Sequence, residues 1–283
     1  MRAAFETEGY SRRVARSKPF LTEANKERRL QWALDHENWS VQDWLRVIWT
    51  DEAAFYVGGF RGRVWVTRNI HEEFHDQCLV PKFQRLLHVM VWGGICADRV
   101  GPLVIWNKSW GKITAKSYVK HISEPAIVPF YELERNHSWP YPTYLMQDGA
   151  PAHRAKYAKE FEAKNGITRL DWPACSPDLN PIETVWRRMK DKLDALPLRP
   201  ATIADTIEEI QVIWNTLDPQ TDTLPYIMSL PVRIKAVIAA QGGHTKYLFF
   251  FFYLLCLIFF LFYFMSIMIF FYFSIYFPWP FVW

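Results

Sequence analysis

Charge divides this chain in two. Every Asp, Glu, Lys, Arg and His lies before Leu248, and Leu248 to Trp283 contains none of them. Only the first 247 residues therefore have the mixed composition of a water-facing domain around an apolar core. They carry the whole formal net charge of +4. That balance permits a nucleic-acid partner without demanding one, because clustering of Lys and Arg on one face matters more than the sum. The length allows one large domain or two small ones.

The tail is more than long enough to cross a bilayer, for which about 20 apolar residues suffice. Yet it has no Ala or Gly and a single Val, whereas membrane helices use small residues to pack. Two readings follow: a C-terminal membrane span, or T-rich flanking DNA translated past a lost stop codon. Phe, Leu, Ile, Met and Val codons all have T in the middle position. At the other end, Met1 to Glu6 has no apolar run of the kind a cleaved signal peptide needs. Residues 1–20 are polar and basic, with Arg12, Arg13, Arg16 and Lys18, and read as a linker. Cys78, Cys96, Cys175 and Cys256 are far apart with no CxxC pair, which fits free thiols in a reducing compartment.

Between these ends the periodicity changes once. Thr22 to His36 fits a capped helix, and Val41 to Leu45 a short turn of another. Strands are expected at Val47–Ala54, Phe55–Val57, Val64–Val66, His88–Val91 and Val100–Trp106, with Gly58-Gly59 and Gly93-Gly94 as turn or bulge points. A helix over Thr114–Glu134 contains Pro125 and Pro129, which should interrupt or bend it. Then come a strand at Thr143–Gln147, a helix over Arg154–Lys164 ended by Asn165-Gly166, and a strand at Ile167–Leu170. Helices at Pro181–Leu193, Ala201–Leu217 and Val232–Ala240 close the pattern. Strands first, then β-α-β-α alternation, predict an α/β fold with a mixed sheet flanked by helices.

Three carboxylates stand out. Asp51 ends the apolar run Val47–Thr50, Asp148 follows Tyr144–Gln147, and Glu183 closes Ser176-Pro177-Asp178-Leu179-Asn180-Pro181-Ile182-Glu183. Adjacent strands would bring Asp51 and Asp148 to one sheet edge. Asn180 suits an N-cap and Pro181 a first helical position, which puts Glu183 in the first turn. Taken singly, Glu183 reads equally as a capping residue, and the two aspartates as solvated loop carboxylates. Together they form a set of hard oxygen donors for divalent cations in phosphodiester chemistry. Without a cation such carboxylates repel one another. Glu52 follows Asp51 directly, but strand alternation points it the other way. His153 sits one turn past Asp148, where capping or packing competes with a role near DNA or water.

Thr50-Asp51-Glu52, Gln147 to His153 and Trp172 to Glu183 resemble the three catalytic blocks of the Tc-one/mariner transposases. The 34 residues between Asp148 and Glu183 (149–182) match the interval of the Tc-one-like branch. The likeness runs from about Lys18 to Tyr247, ending in Gly242-Gly243-His244-Thr245-Lys246-Tyr247. It implies an RNase H-like (retroviral integrase-like) core over about 44–195 within a catalytic domain at 21–247, with C-terminal helices at 201–247. It implies that Asp51, Asp148 and Glu183 hold two Mg²⁺ or Mn²⁺ ions. The implied reaction is DNA cleavage at element ends, then attack by a 3′-hydroxyl on target DNA at TA, in the nucleus. Arg187, Arg188 and Lys190, following Glu183 on its helix, are expected DNA-backbone contacts, against the alternative of a solvated helix face. A homodimer is compatible with this reading.

The resemblance also implies an upstream pair of helix-turn-helix units, for which about 20 residues leave no room. A defective copy unable to recognise its own element ends is therefore expected. Two readings compete: a non-enzymatic product of a degenerate element, and a membrane-anchored protein reusing the domain. His71-Glu72-Glu73-Phe74-His75 matches the HExxH zinc signature, but it lies among strand signals and lacks the stable helix that signature needs.

Overall fold

The computed structural model describes residues 20–58, 87–136 and 142–245. Arg12 to Lys18, the strand expected at Val64–Val66, the HExxH segment and the apolar tail lie outside these residues. Among the described residues, no helix is long and apolar enough to cross a membrane.

Two helices lead in. Helix α1 spans Glu23–Asp35 and is capped by Thr22, whose side chain accepts from Asn25 N–H. Helix α2, Val41–Leu45, starts in a reciprocal Ser40/Asp43 capping box. The sheet follows as β1 (Val47–Tyr56), β2 (His88–Ile95), β3 (Val100–Ile105) and β4 (Tyr144–Met146), in spatial order β3-β2-β1-β4. Strand β1 pairs antiparallel with β2 and parallel with β4, so the sheet is mixed as expected. The separately predicted Phe55–Val57 strand is the end of β1, not a new element.

Gly93-Gly94 makes no turn between strands, since both glycines lie inside β2, but the expected bulge is present: the register of β2 on β3 shifts between Gly93 and Ile95. Glycine here is also a matter of space. A Cβ on Gly93 would come within 2.6 Å of Trp186 Cη2 and 2.8 Å of Trp214 Cη2. One on Gly94 would meet Phe130 at 3.3 Å. Large aromatic rings from helices on the two faces press onto the strand where it lacks side chains.

Helix α3 is one continuous helical run, Ala115–Tyr118, then a π-helical Val119–Ile127, then Val128–Asn136. Pro125 does not interrupt it. It sits inside the π-helical stretch, where a wider turn accommodates its ring and missing donor. Short α4 (Pro151–Arg154) and α5 (Lys156–Lys164) replace the single helix predicted from Arg154, because Ala155 is extended between them. The strand predicted at Ile167–Leu170 shrinks to one parallel bridge, Leu145 with Arg169. Helices α6 (Ile182–Asp194), α7 (Ile203–Asn215), α8 (Pro219–Asp222), α9 (Leu224–Met228) and α10 (Leu230–Ala239) complete the described residues.

Strand alternation sends side chains to two separate cores. Val47, Trp49, Ala53 and Phe55 join Trp186, Met189 and Trp214 on the α6/α7 face. Ile48 joins Trp92, Tyr118, Ile122 and Leu145 on the α3 face. A polar clasp closes the α1 end. Arg29, fully buried, donates to both carboxylate oxygens of Asp178 (2.9 and 2.8 Å), to Ser176 Oγ (2.8 Å) and to the carbonyls of Gly242 and Gly243. Thr245 Oγ1 donates to Asp178 Oδ2 at 2.7 Å, and Arg233 to the Asp178 carbonyl at 2.9 Å. Gly242 has φ +74, and a Cβ there would lie 2.0 Å from the Lys26 carbonyl oxygen. Only glycine lets the C-terminal segment approach α1 this closely.

Asp178→Ala should destabilise the protein by about 3–5 kcal/mol in urea unfolding, because it leaves the Arg29 charge buried and uncompensated. Burial pushes the Asp178 carboxyl up, but the hydrogen bonds and charge of Arg29 outweigh it and hold the group below its usual range. Its stabilisation is therefore full above a pH of about 4 and is lost as pH falls through the folded value. Asp178→Asn should show a shallower acid-side loss than wild type. Gly93→Ala should cost about 1–3 kcal/mol by overpacking against Trp186 and Trp214, read by thermal denaturation.

Candidate active site

The register of β1 on β4 decides where the acidic residues meet. Val47, Ile48 and Trp49 pair with Tyr144, Leu145 and Met146 in parallel. Two residues beyond the last pair, Asp51 and Asp148 come level. Asp148 does follow the end of its strand, as expected. Asp51 does not end one: it lies in the middle of β1, opposite Gly93 of β2. Strand β4 ends at Met146, so its pairing with β1 stops two residues short of Asp51. Thr50 Oγ1 donates to the Met146 carbonyl at 2.7 Å and locks the register at this point.

Helix α6 is pinned to the same place. Asn180 donates from Nδ2 to the Thr50 carbonyl at 3.4 Å and accepts at Oδ1 from Ile182 N–H at 3.4 Å. Pro181 already has helical angles, φ −61 and ψ −37. Glu183 thus falls in the first turn, but it does not cap it. Its carboxyl interacts with that of Asp51 instead. Asp51, Asp148 and Glu183 line one cavity of about 290 Å³, with Trp172 to Pro177 and Asn180 completing the wall.

The electrostatics separate the three. Burial raises the Asp51 carboxyl well above its ordinary range, and the charges of Glu183, Glu52 and Asp148 add to this. Burial likewise raises Glu183, partly offset by Lys190, Asp51 and Arg187. Asp148 is the reverse case. Burial pushes it up, but His153, the Ala150 N–H at 2.9 Å and the charge of Arg154 bring it below the usual value. Asp51 and Glu183 thus form a crowded pair short of positive charge, facing an anchored, half-exposed Asp148.

Glu52 points off the opposite face of β1, as alternation requires. There it meets His153, whose Nε2 is 3.5 Å from Glu52 Oε1 and whose Nδ1 is 2.8 Å from Asp148 Oδ1. His153 is buried under Tyr118, ring centroids 4.4 Å apart. Desolvation pushes its pKa down, but the two carboxylates more than reverse this and raise it to about 10. From the sequence, packing and a site role for His153 are both expected. The structure makes it the partner that fixes one oxygen of Asp148. Glu52, Asp148 and His153 offer ligand atoms within 4.8 Å of one another; the only other such group among the described residues is Cys96, Asp98 and Glu134. The predicted trio shares a cavity and is more spread than either.

The basic residues after Glu183 have differing environments. Arg188 is taken up by the fold: it donates to Tyr226 Oη at 2.7 Å and the Thr221 carbonyl at 3.1 Å and pairs with Asp222 at 3.1 Å. Lys190 lies 5.3 Å from the centre of the Phe55 ring. Arg187 and Lys190 both lower Glu183 through their charge, so they stand near the cavity. Sequence reasoning missed the Arg29–Asp178 clasp, which holds the cavity wall at Ser176. The signal was present as an Asp inside the third motif block, but its partner lies 149 positions away.

Residues 46–200 match the family model described as DDE superfamily endonuclease. The chain is 29% identical over 251 residues to the transposable element Tcb1 transposase of Caenorhabditis briggsae, covering 87% of each. It is 29% identical over 253 residues to the transposable element Tc1 transposase of Caenorhabditis elegans, again covering 87% of each. Among solved structures it resembles the Mos1 transposase paired-end complex with left transposon end, at TM-score 0.68 and 17% identity over 86% of this chain and 70% of that one. The catalytic domain of Mos1 mariner transposase matches at TM-score 0.61 and 15% identity, covering 82% of this chain and 100% of that one. With the mixed sheet and three acidic blocks in order, the fold is RNase H-like. The chain belongs to the DDE superfamily endonucleases, as a transposase catalytic domain of the Tc-one/mariner group.

Proposed function

We propose that the cavity between β1, β4 and α6 is the catalytic centre for DNA strand cleavage and strand transfer, with Asp51, Asp148 and Glu183 as its metal ligands. The supporting observation is the crowding of Asp51 and Glu183 beside Asp148, which no cation of the chain neutralises in full. Hard oxygen donors of this kind fit Mg²⁺ or Mn²⁺. Mos1 paired-end complexes have been solved with Mn and with Mg. A bound pair of such cations supplies a clamp on the attacking and leaving oxygens of an in-line displacement at phosphorus.

The chain's own residues do the positioning. His153 and the Ala150 N–H hold one Asp148 oxygen in place. Asn180 and Thr50 tie the first turn of α6 to β1 and β4, so Glu183 and Asp51 converge. Trp172, Pro173 and Pro177 wall the cavity with apolar surface, which strengthens charge interactions inside it. Arg187 and Lys190 flank Glu183 and suit contacts to the DNA backbone, whereas Arg188 is held by Asp222 and Tyr226. The catalytic domain extends over 21–247 in this reading, with the core at about 44–195. Its substrates are element ends and a TA target, its place of work is the nucleus, and its working form is a homodimer.

Two measurements test the assignment. Mg²⁺- or Mn²⁺-dependent nicking of DNA by the full-length chain should fall at least about a thousandfold in Asp148→Asn, equivalent to losing about 4 kcal/mol of transition-state stabilisation. Nicking unaffected by that change rejects the metal-site assignment. In thermal unfolding, Mn²⁺ at a hundred times its dissociation constant should stabilise wild type by about 2.7 kcal/mol. Asp51→Asn should be more stable than wild type without metal, because it relieves like-charge crowding, and should lose most of the Mn²⁺ effect. A full Mn²⁺ shift in Asp51→Asn removes Asp51 from the ligand set.

A further inference from the structure

A second cavity, of about 470 Å³, opens beside the catalytic one and shares Gly149, Trp172, Pro173 and Ala174 with it. Its remaining walls come from α1 and α4 and carry Arg28 and Arg154. Both arginines are exposed, and neither has an ion pair or hydrogen bond among the described residues. Arg154 stands on the shared wall: its Cδ would lie 4.0 Å from a Cβ placed on Gly149. Asp35 and Asp171 also border the groove, yet neither pairs with the arginines. Asp35 accepts from Gln31 instead, at 2.8 Å. The groove thus joins the catalytic cavity and presents two uncommitted guanidinium forks, which match phosphate oxygens in shape and charge.

A DNA strand does not end at the reacting phosphate, so it must leave the catalytic cavity through an opening continuous with it. We infer that this groove carries the DNA backbone away from the reacting phosphate, with Arg28 and Arg154 each holding one phosphate. The inference rests on the reading of the neighbouring cavity as the catalytic centre, and it adds two positioning residues that the acidic motifs do not contain. Arg28 comes from a helix outside the strand order of the sheet. Helix α1 would then serve both as a structural clasp through Arg29 and as a DNA-facing wall through Arg28, on the neighbouring side of the helix.

The test is DNA binding by the full-length chain in EDTA, with a fluorescently labelled duplex of arbitrary sequence titrated across a salt series. Arg28→Ala and Arg154→Ala should each weaken binding roughly 3- to 10-fold near physiological salt. Each should flatten the slope of log affinity against log salt by about 0.9, as expected for one lost phosphate contact. Arg154→Lys should keep most of the slope, because a point charge survives. Lys235→Ala, exposed on α10 and outside the groove lining, should change neither quantity. Unfolding midpoints equal to wild type in all variants would establish that binding, not folding, is being read. An unchanged slope in either alanine variant overturns the inference, as does an equal loss in Lys235→Ala or a wild-type chain that does not bind duplex DNA. Because metal is absent, the result is separable from the metal-site reading. Asp148→Asn should bind normally in EDTA while failing to nick DNA with Mg²⁺.

Discussion

The parallel pairing of β1 with β4 is the constraint from which the site follows. Parallel neighbours cannot be joined by a tight turn; they need a long crossover. Here β2, β3 and α3 intervene, and the two strands still meet in a register that sets Asp51 level with Asp148. A slip of one residue would turn every side chain of β1 to the other face. Thr50 on the Met146 carbonyl and Asn180 on the Thr50 carbonyl guard against that slip at the residue next to Asp51. The same two bonds bring in α6, so one small network places all three carboxylates around one cavity.

Alternation along β1 then divides the acidic charge between two environments. Asp51 faces α6 and is crowded by Glu183. Glu52 faces α3 and α4 and finds His153. Adjacent residues with the same charge thus differ in chemistry: one lacks positive charge, and the other is neutralised beside Asp148. Close packing supports this division. Gly93 lies opposite Asp51 on β2, and its missing side chain is where Trp186 of α6 and Trp214 of α7 press onto the sheet. The helix that delivers Glu183 is seated against the strand partner of Asp51.

Much of this was legible in the sequence, and the exceptions have physical causes. The acidic blocks, the mixed sheet and most helices follow from motif spacing and periodicity. Gly93-Gly94 suggested a turn or a bulge, and the bulge is there, between Gly93 and Ile95; what the sequence did not show is the rings of residues 186, 214 and 130 that fill the space, which no local window contains. Pro125 suggested a break or a bend, since proline in an α-helix loses a bond and clashes; there is no break, and a change to π-helical winding takes its place. Ile167–Leu170 has strand composition, but only Arg169 finds a ladder partner, because β4 is three residues long. The partners of Arg188, Asp222 at the end of α8 and Tyr226 in α9, lie more than 30 positions away and leave no local sign beside it.

The sequence by itself determined which chemistry this chain can carry: three carboxylates in motif settings, on strand and helix signals, in the order of a known family. Local rules suffice there, because donor type, caps and periodicity are properties of short segments. Tertiary structure alone decided which carboxylate is crowded and which is held by a histidine. It alone placed the buried Arg29 on Asp178 and left Arg28, its neighbour in sequence, on a groove joined to the cavity. Those outcomes depend on burial and, for all but the histidine five positions past Asp148, on partners far apart in the chain, such as Arg29 and Asp178. Desolvation and packing act on distances in space, and the order of residues along the chain does not state those distances.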